Sequence, residues 1–446
     1  MNRREFLKTS LLAVGALVCP NFSALAAAET GKSSKKRTPA GTSAPRVRLG
    51  IDVLESEKFS RLRGERVGLV TNQAGVNAAG ESTIQVLHTR GRAAGANLVA
   101  LFGPEHGIYG DVPAEKIVQN QTDTRLGTNL PVFSLYGGTR RPTAEMLRGI
   151  TKMVIDLQDI GSRSYTFVSC MRLVVEACFE AGIPVVILDR PNPLGGEKTD
   201  GPMLDAKWQS YVGMFPVPYV HGLTIGELAR AALGEGWFKL SDAARERGRL
   251  EVVAMRGWRR SMLWRATGLD WIPTSPYIAN PDAAEGYAMT GLGCCVGKFS
   301  HTFTASRTPL RLVRPFRFLG WPGKNEKEMA ALVDSFNIAG LRGVPAVLGN
   351  GSARGALLAV TDWRVIRPTE ISFHMMRQTC IWEKSNPFAE LQGNAKDLFL
   401  KHMGDEKFFH ALCEKGAEID VKSWCARWEA RAAEFRRSVA KYRLYA

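Results

Sequence analysis

An ionisable pair in a short glycine-bordered loop is the strongest sign of chemistry in this sequence. Residues 102–107 read Phe-Gly-Pro-Glu-His-Gly, so Glu105 and His106 directly follow the apolar stretch 96–102. That stretch predicts a buried strand, and open α/β sheets place their ligands at the carboxyl ends of such strands. Glu105 is therefore the first catalytic candidate, with His106 beside it. The alternative is a loop carboxylate that only caps the next segment.

Three further strand-end loops concentrate polar side chains. The carboxyl ends of parallel strands share one edge of a sheet, so residues far apart in the sequence converge there. A carboxylic acid beside carboxylates, a guanidinium and amides is the set that glycoside hydrolysis needs, because one carboxyl protonates the leaving oxygen while other groups stabilise an oxocarbenium-like centre. The loops supply Asn72, Gln158, Asp159, Arg163, Tyr165 and Asn192, and His221 precedes the next predicted helix.

Several of these polar residues also have a structural interpretation. Asp156 and Asp189 lie within or next to strands, where structural ion pairs and helix caps are favoured over catalysis. Arg163 stands at a helix start, which is unfavourable for the helix dipole unless an anion lies nearby; a substrate group is one such anion. Tyr165 suits either the core or the crevice. His221 suits either a structural hydrogen bond or function.

Apolar runs alternate with helical patterns through the first half of the chain. Continuous apolar strands separated by helices predict a parallel sheet that is covered on both faces. The strands are expected at residues 66–71, 96–102, 132–136, 152–157 and 184–189, and the helices near residues 83–88 and 164–180. No loop carries the Gly-x-Gly-x-x-Gly pattern of dinucleotide binding. The predicted fold class is therefore α/β, with a Rossmann-like sheet.

The pattern changes after residue 220. A helix is predicted at residues 223–233 with Thr224 as its N-cap, and the remainder predicts a smaller α+β domain. We therefore expect a Rossmann-like catalytic domain at residues 49–220 and an α+β C-terminal domain at 221–446. The last predicted helix carries an apolar stripe, which predicts core packing; an aromatic platform for a sugar is the alternative. The stripe comprises Trp424, Trp428, Ala432, Phe435, Val439 and Tyr442.

The first residues predict export. Arg3 and Arg4 precede an apolar segment at residues 11–18 and a small-residue cleavage site at 24–26, which together are typical of a twin-arginine signal peptide over residues 1–26. Residues 27–48 are rich in Lys, Ser, Thr, Gly and Ala and predict a disordered linker. No later segment is long enough to span a bilayer. The expected location is periplasmic or secreted, without stable membrane insertion.

Charge and cysteine usage narrow the expected partners. The formal net charge of +16 falls to +9 without residues 1–48, which carry nine cationic residues and two glutamates. This balance suits an anionic cell-wall glycan. The sequence lacks a basic stripe interleaved with aromatic residues, so it does not indicate a nucleic-acid partner. Seven cysteines besides Cys19, without disulfide spacing, predict reduced, packed thiols. For Cys294 and Cys295 burial is favoured over metal or redox chemistry, and neither metal nor cofactor is expected.

Seven strings occur in an order that resembles the NamZ-type exo-β-N-acetylmuramidases, a family formerly described as a domain of unknown function. The similarity covers residues 49–229 and resumes at the chain end. The strings are LVTNQAGV (69–76), LFGPEHG (101–107), SLYG (134–137), DLQDIGSRSYT (156–166), LDRPNPLGG (188–196), HGLTIGELA (221–229) and YRLY (442–445).

The resemblance implies a Rossmann-like domain joined to a smaller C-terminal domain, with the active cleft between them. It implies release of N-acetylmuramic acid from the non-reducing ends of peptidoglycan fragments, without a cofactor. The catalytic glutamate of the family falls on Glu105. The polar cleft motifs of the family map onto Asp159, Arg163, Tyr165, Asn192 and His221.

The chain departs from this family at residues 291–301. The family usually carries Glu-Gly-Thr-Asn and then Ser-x-Gly-Arg-Gly-Thr there, whereas this chain reads GLGCCVGKFSH. The glutamate and the arginine of that stretch are missing, which bears on the sugar that is recognised. Lys298, Ser300 or His301 are the expected replacement ligands for a lactyl carboxylate, and Tyr277 and Asn280 are expected to contribute from the preceding loop.

The sequence therefore predicts an exported exo-acting glycoside hydrolase. Glu105 is expected to act as the general acid/base, while Asp159 or the 2-acetamido group of the substrate stabilises the reacting centre. Arg163 and Asn192 are expected to anchor the sugar. Two alternatives are a non-catalytic peptidoglycan- or sugar-binding protein on the same scaffold and a related hydrolase for a different sugar. The oligomeric state is not predicted.

Overall fold

The structure is a computed structural model that describes residues 47–113, 116–292, 316–348, 353–383 and 385–446. The predicted signal peptide and all of the predicted linker but Val47 and Arg48 lie outside these residues, as do Cys294, Cys295, Lys298, Ser300 and His301. The strands are β1 (Arg66–Thr71), β2 (Asn97–Gly103), β3 (Gln121–Thr122), β4 (Pro131–Ser134), β5 (Lys152–Asp156), β6 (Val185–Leu188), β7 (Asp200–Met203), β8 (Pro218–Val220), β9 (Leu250–Val253), β10 (Phe318–Leu319), β11 (Leu341–Leu348) and β12 (Ala353–Val360).

Helices connect these strands and dominate the last third of the chain. The α-helices are α1 (Gly50–Ser56), α2 (Thr83–Val86), α3 (Phe167–Glu180), α4 (Ile225–Gly234), α5 (Asp242–Arg247), α6 (Pro281–Thr290), α7 (Glu326–Ser335), α8 (Glu370–Trp382), α9 (Gly393–Met403), α10 (Glu406–Lys415) and α11 (Val421–Ser438). A π-helical turn (Leu87–Gly91) continues α2, and 3₁₀ turns lie at Ser60–Leu62, Ala206–Trp208, Trp264–Ala266, Gly416–Glu418 and Ala440–Tyr442.

A seven-stranded sheet forms the scaffold, in the order β3-β4-β2-β1-β5-β6-β9. Its pairs are parallel except β3–β4, which is antiparallel. This arrangement confirms the predicted α/β class with a Rossmann-like sheet. The sheet extends beyond residue 220, because β9 pairs with β6 at one edge; the domain boundary expected there stays a prediction.

Successive residues of the central strands enter two separate cores. Val154 packs on one face of the sheet and Ile155 on the other, and Val186 and Ile187 divide in the same way. Side chains alternate between the two faces of a strand, so a strand that is covered on both sides needs an unbroken apolar run. This requirement explains why the sequence predicted these strands within a few residues of their ends.

The C-terminal part holds a smaller antiparallel sheet, in the order β10-β12-β11, and a group of helices. In α11, Trp428, Ala432 and Phe435 are buried, and the Trp428 indole N–H donates to Asp405 (2.8 Å). These contacts confirm that the stripe is core packing. α4 begins after Thr224, whose hydroxyl accepts from the Glu227 N–H in a capping box, as predicted.

Buried charges join the strand ends below the candidate site. Arg190 forms a bidentate ion pair with Asp156 (2.5 and 2.8 Å), and Asp189 accepts hydrogen bonds from the hydroxyls of Thr224 (2.7 Å) and Tyr445 (2.5 Å). Burial raises the pKa of Asp189 to about 6. Both aspartates therefore have the structural roles that the sequence favoured, and the last residues of the chain are tied to the sheet.

Four further sequence predictions concern the described residues. The five described cysteines are free thiols, three of them buried. Across the ranges given above, no helix combines the length and apolarity that a membrane span requires, and no group of three or more His, Cys, Asp or Glu side chains is arranged to hold a metal ion. The linker was expected to end at Arg48, but Val47 is buried and Arg48 pairs with the backbone of Arg256. The folded part therefore already includes these two residues.

Candidate active site

The carboxyl ends of five parallel strands carry the candidate residues. Asn72 follows β1, Glu105 follows β2, and Tyr136 follows β4. The loop between β5 and α3 contributes the stretch from Gln158 to Thr166, and the loop after β6 contributes Asn192. Contacts between these loops bring residues from distant parts of the sequence together, as the topology of the sheet requires.

Two hydroxyl groups orient the carboxyl of Glu105. The Thr166 hydroxyl donates to Oε2 of Glu105 (2.7 Å), and the Tyr136 hydroxyl also forms a side-chain hydrogen bond with Glu105. Glu105 is only 9% exposed. Burial and the adjacent Glu105 charge raise the pKa of Tyr136, so the phenol keeps its proton and donates it. The carboxyl is thus held in one orientation at the edge of the sheet.

His106 shapes the loop that carries Glu105. Its backbone has φ 72°, followed by Gly107 at φ 75°, and its Nδ1 lies 2.7 Å from the carbonyl oxygen of Val112. An αL conformation is costly for a non-glycine residue and persists only where its surroundings enforce it. The Gly107 N–H also donates to the Pro104 carbonyl (2.9 Å). These contacts favour a structural role for His106 instead of the predicted catalytic one.

Tyr165 and Asn72 meet a segment from much later in the chain. The Tyr165 hydroxyl donates to Oγ1 of Thr274 (2.7 Å), and Nδ2 of Asn72 donates to the Thr274 carbonyl (3.4 Å). Burial strongly raises the pKa of Tyr165, and the charges of Asp159 and Glu105 both act on its hydroxyl in the same direction. Tyr165 therefore remains a neutral phenol close to both carboxylates.

Asp159 and His221 form a second polar pair at this edge. Oδ2 of Asp159 accepts the Gly161 N–H (2.8 Å) and lies 3.3 Å from Nε2 of His221. Nδ1 of His221 accepts the Leu223 N–H (3.2 Å), which places the proton of the neutral imidazole on Nε2. The contact between His221 and Asp159 is not a hydrogen bond, and within the described chain His221 Nε2 and Asp159 Oδ1 are buried without hydrogen-bond partners.

Gln158 and Asn192 hold neighbouring loops together. Nε2 of Gln158 donates to the carbonyls of Asp159 and Pro191 (2.8 Å each). The Asn192 amide donates to the Leu223 carbonyl and accepts the Leu194 N–H (3.0 Å each). These bonds occupy both ends of the Asn192 amide and favour a structural role for that residue. In Gln158 they occupy Nε2 alone, and its Oε1 is buried without a partner in the described chain.

Arg163 has a different role from the predicted one. Its guanidinium is buried and donates to four backbone carbonyls, those of Pro202 (2.7 Å), Val217 (2.8 Å), His402 and Met403 (3.0 Å each). The last two carbonyls belong to the final turn of α9, where the helix dipole favours a cation. The negative charge that Arg163 was expected to need is therefore supplied by the carboxyl end of α9. This geometry argues against a contact between Arg163 and substrate.

The loop before α6 contains the last two predicted site residues. Asn280 is the N-cap of α6, and its Oδ1 accepts the Ala283 N–H (2.9 Å). The preceding turn is fixed by Ser275, whose Oγ accepts the N–H groups of Tyr277 and Ile278 (3.3 Å each). Tyr277 is half-buried. Asn280 thus has a capping role, whereas Tyr277 stays a predicted contact.

Four residues near Glu105 were missing from the predicted site. Thr166 and Tyr136 stand inside the motifs DLQDIGSRSYT and SLYG, and a strand-end position was the signal that could have identified them. Arg140 lies in the same loop as Tyr136. Tyr211 comes from the segment between β7 and β8, and its ring lies 5.9 Å from that of Tyr136. Nothing local in the sequence indicates this last contact.

A cavity of about 470 Å³ lies apart from this cluster. Its lining includes Lys198, Arg260, Trp363 and Arg436 but none of the residues around Glu105. Most of its charged groups already have partners, such as Arg260 with Glu227 (2.7 Å) and Arg436 with Glu429 (2.8 Å). We therefore assign the candidate site by the contacts of Glu105 and not by this cavity.

Thr166→Val is expected to reduce kcat about 2- to 10-fold with little change in stability. Valine keeps the shape of threonine but cannot donate to Glu105, and a net hydrogen bond is worth roughly 0.5–1.5 kcal/mol. The control is Thr151→Val, which removes a surface bond to Glu65 (2.6 Å) at the opposite end of β5. Steady-state rates on a chromogenic substrate measure the effect. Equal rates for both variants would show that Thr166 does not orient the acid.

The fold and site together define a carboxylate-based hydrolase. A hydrogen-bonded carboxyl, a second carboxylate and a histidine converge at the ligand-binding edge of a parallel sheet, which is the group set of glycoside hydrolysis.

Comparison with known proteins identifies the family. The model of the N-terminal part of exo-β-N-acetylmuramidase NamZ matches residues 67–282, and the model of its C-terminal part matches residues 312–445. A relative from Bacillus subtilis (strain 168), the peptidoglycan β-N-acetylmuramidase NamZ, is 37% identical over 322 residues, which are 72% of each chain. The chain belongs to the NamZ exo-β-N-acetylmuramidase family and is a glycoside hydrolase. The resemblance drawn from the motifs is thereby confirmed.

Two solved structures share the architecture. A DUF1343 family protein of Bacteroides fragilis superposes with a TM-score of 0.78 at 34% identity, over 90% of this chain and 99% of the other. A second DUF1343 protein of that organism has the same coverage with a TM-score of 0.64 at 22% identity, and it supports the fold alone. Both agree with the α/β sheet followed by a smaller C-terminal part.

Proposed function

We propose that this glycoside hydrolase releases N-acetylmuramic acid, or a closely related 2-acetamido sugar, from the non-reducing ends of peptidoglycan fragments. The observation that carries the proposal is the carboxyl of Glu105, held by the hydroxyls of Thr166 and Tyr136 at the ligand-binding edge of the sheet. Family membership and the activity named for the Bacillus subtilis relative support the substrate class.

Glu105 acts in this proposal as the general acid. It protonates the glycosidic oxygen while the bond from that oxygen to the anomeric carbon breaks, and a water molecule then completes hydrolysis as the carboxylate takes up a proton. Asp159 is the candidate for stabilising positive charge at the anomeric carbon, because its Oδ1 is buried without a partner in the described chain. The 2-acetamido oxygen of the sugar is the second candidate for that task.

A defined pair of disaccharides tests the proposal. One carries N-acetylmuramic acid at the non-reducing end and N-acetylglucosamine at the reducing end, and the other has the reverse order. We expect free N-acetylmuramic acid only from the first, measured by chromatography of the products. Binding of the first disaccharide without product would support the sugar-binding alternative. Cleavage of internal bonds in longer glycans would contradict exo action.

We also propose that the protein acts outside the cytoplasm, in the periplasm or after secretion. Arg3 and Arg4, the apolar segment at residues 11–18 and the small residues at 24–26 support export by the twin-arginine route. Peptidoglycan lies on that side of the membrane, in agreement with the proposed substrate. Cell fractionation of the full chain and of the Arg3→Lys, Arg4→Lys double variant tests this step; equal export of both would contradict it.

A further inference from the structure

Beside Glu105, one arginine is held between two aromatic rings. The guanidinium carbon of Arg140 lies 4.1 Å from the ring centroid of Tyr136 and 4.1 Å from that of Tyr211. Contacts of this length stack a guanidinium on an aromatic face and restrict its motion. Arg140 is nevertheless exposed. The two tyrosines therefore present an ordered cation at the surface of the site.

Arg140 has no ion-pair partner among the described residues. Its hydrogen bond goes to the Tyr136 side chain, whereas the neighbouring Arg141 pairs with Glu176 (3.3 Å). Some other exposed arginines are likewise paired, as Arg125 is with Asp111 (2.5 Å), and what distinguishes Arg140 is its position between two aromatic rings beside Glu105. An ordered guanidinium without a carboxylate partner is well suited to bind one from a ligand, because its planar donors match that group.

Tyr211 adds a second unsatisfied donor at the same place. Its hydroxyl is buried and has no hydrogen-bond partner in the described chain. Burial raises the pKa of Tyr211 well above its usual range, and the Glu105 charge raises it further although the Arg140 charge opposes the shift, so the hydroxyl stays a neutral donor. Buried hydroxyls are almost always paired in proteins. The lone hydroxyl beside Arg140 thus indicates a position where a ligand oxygen is expected.

Tyr136 connects Arg140 with Glu105. Its side chain interacts with the Glu105 carboxyl and with the Arg140 guanidinium, so one residue links the acid to the cation. A sugar whose anomeric oxygen meets Glu105 therefore places a substituent of its own ring near Arg140.

We propose that Arg140 and Tyr211 bind the lactyl carboxylate of N-acetylmuramic acid and so determine the specificity of the enzyme. This inference rests on the proposed function and names the group that the enzyme recognises. It is an alternative to Lys298 and His301, which the sequence suggested for this task and which lie outside the described residues. A buried or ordered site that lacks its charged partner rejects the analogue strongly, so the lactyl-free sugar should be a poor substrate.

Hydrolysis of two chromogenic β-glycosides, of N-acetylmuramic acid and of N-acetylglucosamine, provides the first test. For Arg140→Gln we expect kcat/KM on the lactyl sugar to fall about 10- to 100-fold, mainly through KM, since hydrogen bonds to charged groups are the strong ones. The rate on N-acetylglucosamine should fall much less, so the ratio of the two rates should drop. Tyr211→Phe should show a smaller loss of the same kind, and Arg141→Gln, which removes a neighbouring charge, should behave as wild type. An unchanged ratio of the two rates in Arg140→Gln would overturn the proposal.

Calorimetric binding separates this inference from the proposed function. Free N-acetylmuramic acid, its lactyl methyl ester and N-acetylglucosamine are titrated into the Glu105→Gln protein and into Glu105→Gln with Arg140→Gln. We expect the acid to bind about 10-fold or more tightly than the ester only where Arg140 is present. This result would support the inference even if wild type hydrolysed neither glycoside. Equal affinity for acid and ester in the presence of Arg140 would refute it, whatever the catalytic activity.

Discussion

Glu105→Gln is expected to lower kcat about 10²- to 10⁴-fold while the protein remains folded and binds substrate. Glutamine keeps the size of the side chain and still offers an oxygen to the hydroxyls of Thr166 and Tyr136. It cannot transfer a proton, and general acid catalysis is typically worth about 10²–10⁴ in rate. Initial rates on a chromogenic glycoside and calorimetric titration of the product sugar measure the two quantities separately.

The control for this variant is Glu414→Gln on α10, which removes one exposed carboxylate far along the chain from the site. It should retain wild-type kcat and KM. Residual activity of Glu105→Gln within a few-fold of wild type would remove Glu105 from proton transfer. Asp159 would then be the next candidate, because its Oδ1 is a buried carboxylate oxygen without a partner among the described residues.

The central strands were predictable because their environment leaves the sequence little choice. β1, β5 and β6 are buried on both faces, so their central positions carry no charged side chain and the apolar run is continuous there. β9 was missed because it is an edge strand with three half-buried residues. β3 was missed because its two residues are exposed. Half-exposed strands carry no such signature, and their place in the sheet depends on tertiary contacts.

The site was predictable to the extent that it depends on strand ends. Glu105 was identified because its loop follows a buried strand, and the topology of a parallel sheet then brings the other loops to it. The partners of each side chain were not predictable in this way. Tyr211 reaches the Tyr136 ring from a segment without regular pattern, and the amide of Asn192 is used within its own turn region. Such contacts depend on how the segments pack together in three dimensions.

Arg163 shows how a correct local argument can lead to a wrong partner. A cation at a helix start does need negative charge nearby, and the carbonyls that end α9 supply it. Gly404, with φ 85°, allows this close approach, since a Cβ there would lie 2.5 Å from Nη2 of Arg163. Burial lowers the pKa of Arg163 to about 10, which still leaves it charged at neutral pH.

Arg163→Lys is therefore expected to destabilise the protein by about 2–4 kcal/mol. One ammonium nitrogen cannot reach four carbonyls that two separate guanidinium nitrogens now satisfy. Each buried carbonyl that loses its donor costs roughly 1–3 kcal/mol. Chemical denaturation monitored by circular dichroism gives the free energy of unfolding. The matched control is Arg66→Lys, an exposed arginine that also donates to a backbone carbonyl, that of Gly149 (2.6 Å), and it should change stability by no more than about 0.5 kcal/mol.

Kinetics on the same variant decide between the two roles of Arg163. If the guanidinium only joins α9 to the loops before α3 and β8, the folded Arg163→Lys enzyme should keep the KM of wild type below its unfolding transition. A side chain that gripped substrate would instead raise KM at unchanged stability, because a point charge does not replace a planar fork. Loss of stability with constant KM would show that Arg163 is structural and would favour Arg140 as the arginine that binds the sugar. The Arg140 guanidinium is exposed beside Glu105, whereas that of Arg163 is buried and bonded to four carbonyls.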